Sequence, residues 1–196
     1  GLFWDCPQRL ANLFLQFTGE FISTMSKEKQ YLQLKIQLQH EKPAVWRRVI
    51  VPDTMHLDQL HVVIQVVFAW DNSHIDQFWN TQSRDFLYVP YIDDDLPADQ
   101  ALTSKTMVWS ALESGNLIYD FDFESELDQR IHLEKIVDAD ALTGQPAPRC
   151  IAGRGTNPYG DQEFDLDQIN DRLKAAFLTE NTVAQDCDLT EGNGYW

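Results

Sequence analysis

Four short runs of this chain hold residue types that bind charge, stack on rings or move protons: Trp46-Arg47-Arg48, Trp70 to Asp76, Tyr119-Asp120-Phe121 and Arg149-Cys150. Guanidinium groups grip anions in a planar fork, and an imidazole beside a carboxylate passes protons near neutral pH. A cleft built from Arg47 or Arg48 with His74, Asp76 and Asp120 could therefore hold an anion and move a proton. Trp46, Trp70 and Arg149 complete the candidate binding set. No catalytic motif accompanies them. His40, His56, His61, His74 and His132 form no HxxxH or HExxH pair, and neither GxSxG nor a phosphate-binding loop occurs. Asp93-Asp94-Asp95 lacks the ligand spacing of an EF-hand and reads as a solvated loop. These observations assign no catalytic residue, no metal site and no cofactor, and they favour binding over catalysis.

The elements that must position these residues follow from periodicity. Tyr31 to Leu38 and Val45 to Val51 flank the turn-like Glu41-Lys42-Pro43-Ala44 and read as a hairpin. Strand alternation puts Arg47 on one face with Val45, Val49 and Val51, and Arg48 on the other with Trp46 and Ile50. At least one arginine is therefore expected to be buried and held by a carboxylate and carbonyls, with Asp120, Asp122 and Glu134 as the acids to look to. Leu57, Leu60, Ile64 and Phe68 recur at helical spacing, with valines adding further apolar faces, as expected of a central helix against a sheet. His61 within it reads as a hydrogen-bonded packing residue.

Ile75–Thr81 and Arg84–Val89 read as a second hairpin, and a short helix is expected over Lys105–Leu112. Leu117–Phe123 alternates Tyr119, Phe121 and Phe123 against Asp120, Asp122 and Glu124, the pattern of a half-buried strand paired by Arg130–Val137. Glycine- and proline-rich stretches bracket Arg149-Cys150-Ile151, and a last helix spans about 165–177. At the N-terminus Leu10, Leu13, Phe14, Phe17 and Phe21 form an amphipathic stripe that needs a cover, either the main domain or a second copy of the chain as a homodimer. Gly1 suggests a tag remnant or processed end, with Met25 as an alternative start. The expected organisation is an N-terminal amphipathic helix in 1–27 appended to a single domain over 28–196. The fold class is α+β, a mixed or mainly antiparallel sheet of hairpins packed on a central apolar helix.

Composition narrows the partners. Fifteen basic residues stand against 31 acidic ones, a net charge of −16, and residues 93–196 alone hold 22 acids to 7 bases. That field repels nucleic-acid and anionic lipid phosphates, so direct nucleic-acid binding is disfavoured and no membrane contact is expected. Three cysteines without a CxxC pair point to a reducing, cytoplasmic compartment.

Several ordered blocks carry a family resemblance: Lys42-Pro43-Ala44-Val45-Trp46-Arg47-Arg48-Val49 with Val51-Pro52, Leu60-His61 and Ile64-Gln65 through Trp70, Ser73-His74, Tyr119-Asp120-Phe121, His132 to Lys135, Pro148-Arg149-Cys150 with Ala152-Gly153, and Phe164-Asp165-Leu166 with Ile169-Asn170. Over about residues 31–177 the chain resembles the plasmid pRiA4b ORF-3-like family. That resemblance implies a small α+β protein of the kind found on plasmids and transposons, and brings no activity with it. The chain departs from the family pattern at Asp122 to Leu127, at Asp76 where a second histidine often stands, and at Asn157 to Asp161. A family ligand or metal site resting on those positions would be degraded here. The expected function is a non-catalytic binding or adaptor module carried by mobile DNA, its partner a protein or a small molecule. The competing readings are an enzyme using the Arg/His/Asp cleft and an acidic decoy of a DNA-binding protein.

Overall fold

The computed structural model describes residues 28–93, 95–121, 127–158, 160 and 162–187, with side chains to Phe177. The expected N-terminal helix and Asp122 lie outside the described residues. Eight strands form one sheet: β1 (Tyr31–Leu38), β2 (Trp46–Pro52), β3 (Asp76–Asn80), β4 (Ser83–Val89), β5 (Gln100–Leu102), β6 (Leu117–Phe121), β7 (Gln129–Val137) and β8 (Arg149–Arg154). Helix α1 (Leu57–Val67) follows β2, α2 (Val108–Leu112) follows β5, and α3 (Leu166–Cys187) ends the described chain. The sheet order is β5-β4-β3-β6-β7-β1-β2-β8. All neighbours are antiparallel except β4 and β5, so the sheet is mixed and the fold is α+β.

The alternation in β1 decides which face is core. Leu32, Leu34, Ile36 and Leu38 are buried while Tyr31, Gln33, Lys35 and Gln37 are half-exposed. The inner face packs on α1 through Leu57, Leu60, Val63, Ile64 and Val67, all at most 1% exposed. Fully burying each such side chain is worth about 1.5–3 kcal/mol, so this interface contributes heavily to the core. Gln59 accepts a hydrogen bond from the His56 backbone at 3.1 Å and helps start α1. Its other end turns sharply at Ala69, whose φ of 53° lies in the left-handed region.

Three elements differ from the sequence expectation. Residues 149–154, bracketed by loop signals, form edge strand β8 on β2. Gly153 is required there: a Cβ on it would lie 2.6 Å from the Phe164 ring and 2.9 Å from the Arg47 side chain. The three-residue β5 is too short to show a period, and α3 continues past Phe177 to Cys187. Asn170 fastens α3 to β8 by accepting from Cys150 N at 2.8 Å and donating to Cys150 O at 2.9 Å.

Candidate binding site

At one end of the sheet, the turn after α1 crosses the inner face above β3 and β6. Alternation aims Asp76 and Phe78 of β3, and Tyr119 and Phe121 of β6, at α1. Tyr119 is completely buried, and its hydroxyl lies 2.8 Å from His61 Nδ1 and 2.9 Å from Gln65 Nε2. His61 Nε2 lies 2.8 Å from Asn72 Oδ1, and the Asn72 backbone N–H donates to Gln65 Oε1 at 2.9 Å. Because Asn72 Oδ1 can only accept, His61 carries its proton on Nε2, and Nδ1 is left to accept from Tyr119. Gln65 Nε2 then donates to the Tyr119 oxygen. The four bonds close a ring that ties the 69–73 turn to α1 and β6.

Asp76 borders this ring, with Oδ1 3.4 Å from His61 Nδ1. Burial raises its carboxyl above the usual range, against the opposing pull of His61. The Tyr119 phenol is likewise pushed up, by burial first and by the nearby Asp76 second. Burial thus favours the neutral form of both groups. Aromatic rings roof the same end: Trp70 stacks on Phe121 with centroids 4.8 Å apart, and His74 meets Phe121 edge-on at 5.4 Å.

Gln129, the first residue of β7, stands directly opposite Tyr119 and shares its inner face. It is fully buried, yet among the described residues neither Nε2 nor Oε1 has a hydrogen-bond partner. Leaving such a group unpaired costs about 1–3 kcal/mol, so a donor–acceptor partner is strongly favoured at this position. The sequence expectation of a strand over Arg130–Val137 leaves this side chain out, since β7 begins one residue earlier. Extending the alternation of Ile131 and Leu133 back by one step places Gln129 on the apolar face.

The two arginines have separate fates. Arg47 is 3% exposed and, among the described residues, binds no carboxylate, where an ion pair is expected from sequence. Its Nε donates to Val67 O at 2.8 Å, and its NH groups donate to the carbonyls of Trp46, Arg154 and Gly155 at 2.8, 3.0 and 2.9 Å. Val67 ends α1, where unpaired carbonyls concentrate partial negative charge, so the helix terminus itself supplies the counter-charge. Asn157 donates to the next carbonyl, Phe68 O, at 3.0 Å. The rings of Phe68 and Phe164 lie 5.0 and 4.7 Å from the guanidinium carbon. Arg48, on the outer face, takes Glu134, one of the three expected acids, through bonds of 2.6 and 2.8 Å.

The sequence candidates therefore divide into groups. Trp70, His74 and Asp76 converge around Phe121 on the inner face. Trp46 and Arg48 share the outer face, with the Arg48 guanidinium 5.1 Å from the Trp46 ring. Asp120 is also on the outer face and accepts from Gln77 at 3.0 Å, but β6 lies three strands from β2, about 14 Å at normal strand spacing. Arg149 opens β8 opposite Ile50. The single Arg/His/Asp cleft imagined from sequence is thus not assembled. Among the described residues no three His, Cys, Asp or Glu side chains cluster as metal ligands, and no helix is long and apolar enough to cross a membrane.

A family model described as plasmid pRiA4b ORF-3-like protein matches residues 30–166. The uncharacterized protein y4hQ of Sinorhizobium fredii (strain NBRC 101917 / NGR234) is 30% identical over 143 residues, covering 68% of this chain and 70% of that protein. Among solved structures, a protein of unknown function from Methanosarcina mazei Go1, MM3350, is similar at a TM-score of 0.55 and 23% identity. That match covers 87% of this chain and 93% of the other. The likeness shows a shared fold.

Proposed function

This chain belongs to the plasmid pRiA4b ORF-3-like family, and from that premise we propose that it is a non-catalytic binding module that takes a small polar ligand at the Trp70–Gln129 end of the sheet. The observation that carries the reading is the buried amide of Gln129, without a partner among the described residues, opposite a Tyr119 hydroxyl whose bonds are already used. A ligand offering one donor and one acceptor satisfies that amide, and the Trp70–Phe121 stack supplies a flat apolar wall. Catalysis fits less well. The groups able to move protons are bonded to one another, and burial holds Asp76 and Tyr119 toward their neutral forms. The plasmid in the family description fits a module carried by mobile DNA, and the cysteine content fits a cytoplasmic setting.

Native mass spectrometry of the full chain, purified without denaturant, tests the reading. A bound small molecule is expected on the wild type and is expected to be lost from Trp70→Ala. No retained mass on the wild type, or equal retention by both, would contradict it.

A further inference from the structure

The outer face of the sheet carries a second feature, independent of the loop-end site. The β1–β7 register sets Lys35 opposite His132 and Gln37 opposite Arg130, so these four side chains stand on one face across two neighbouring strands. The turn after β1 adds His40 and Lys42. Together with Leu38, Gln39 and Glu41 these residues line a groove of about 520 Å³. Glu41 is its single acid.

Two observations make this groove more than a scatter of surface charge. Among the described residues, neither Arg130 nor Lys42 has a carboxylate within ion-pair distance, although acids outnumber bases 31 to 15 in the chain. A chain this acidic has ample means to neutralise a basic patch. Beside the groove, Trp46 stands opposite Gln37 on β2 with its ring 5.2 Å from the Lys35 ammonium, so an aromatic face adjoins one of the cations. The −16 net charge does not cancel the local field, because charges beyond about 8 Å are largely screened at physiological salt.

We propose that this groove binds a small molecule bearing two or three linked phosphates. The arginine fork accepts two phosphate oxygens at once, while the lysines act as point charges that follow a chain of them. The volume suits a molecule of nucleotide size. Inorganic polyphosphate and the polyphosphate end of a nucleotide share this chemistry, and the test separates them.

Isothermal titration of the full chain with inorganic tripolyphosphate, at low and at physiological salt, is the direct experiment. Saturable binding is expected, with Kd on the order of 0.1 mM at low salt, weakening as salt rises. Arg130→Glu and Lys42→Glu, both exposed and expected to leave the melting temperature unchanged, should each weaken binding at least ~10-fold. Arg84→Glu, on β4 three strands from β7, should leave it unchanged. ATP binding at least ~10-fold tighter than tripolyphosphate assigns the nucleotide as the source, and equal binding assigns free polyphosphate. No binding at millimolar tripolyphosphate, or equal losses in all three variants, would overturn the proposal.

Discussion

Arg47 and Arg48 are adjacent in sequence but take opposite kinds of partner. Arg47 caps the end of α1 through carbonyls between two phenylalanine rings, and Arg48 holds Glu134 in a two-point ion pair at the surface. Their substitutions should separate sharply. Arg47→Met takes a donor from four carbonyls, a loss of about 1–3 kcal/mol for the buried groups left unsatisfied, and a melting-point drop of several degrees. Arg48→Met removes a surface pair worth about 0–1 kcal/mol. Thermal melts of the two variants check this.

Glu134 gives the fold a definite acid response. The Arg48 hydrogen bonds, chiefly, pull its carboxyl down to about 2 from an ordinary 4.5. A depressed carboxylate contributes stability above its unfolded value, and that contribution is lost as pH falls through the folded one. Wild type should therefore lose its stability advantage over Glu134→Gln between pH 4.5 and 2. Denaturant melts across that window show the convergence.

Asp76 should behave in the opposite sense. Its raised carboxyl means that the native state holds a proton which the unfolded state has released, so ionisation weakens the fold as pH rises above the unfolded value. Asp76→Asn removes that penalty. The variant is expected to melt higher than wild type at pH 7, with the difference shrinking at pH 4.

Tyr119→Phe opens the hydrogen-bonded ring while keeping the aromatic packing. Gln65 Nε2 and His61 Nδ1 lose their partner, at a cost of about 1–3 kcal/mol. The turn they anchor should loosen with them. The Asn72 amide donates to Gln65, and its hydrogen exchange is expected to be faster in the variant than in wild type.

Legibility in the sequence followed how far each feature depends on local pattern. The β1–β2 hairpin, α1 and β3 show in apolar spacing because one face of each is buried, and β4 shows through its β-branched and aromatic run Phe86 to Val89, which is only half-buried. Edge strand β8 did not, since Gly153 is there to admit Phe164 and glycine is also a loop signal. Arg48 and Glu134 could be paired from sequence because a carboxylate is a residue type. The partners of Arg47 could not, because backbone carbonyls have no sequence identity and only the end of α1 brings them together. Trp70, His74 and Asp76 were singled out and do meet, whereas Arg47, Arg48, Asp120 and Arg149 belong to other parts of the sheet.

The central claim is that Gln129 is kept for a ligand at the expense of stability, and Gln129→Met tests it most directly. Methionine fills nearly the same volume without the amide. Melting temperatures of ligand-stripped wild type and variant, repeated after adding back the small molecules released from native wild type, give the answer. The stripped variant should melt higher than wild type, and only wild type should gain on add-back. A variant that melts several degrees lower, or that gains as much as wild type on add-back, would contradict the account.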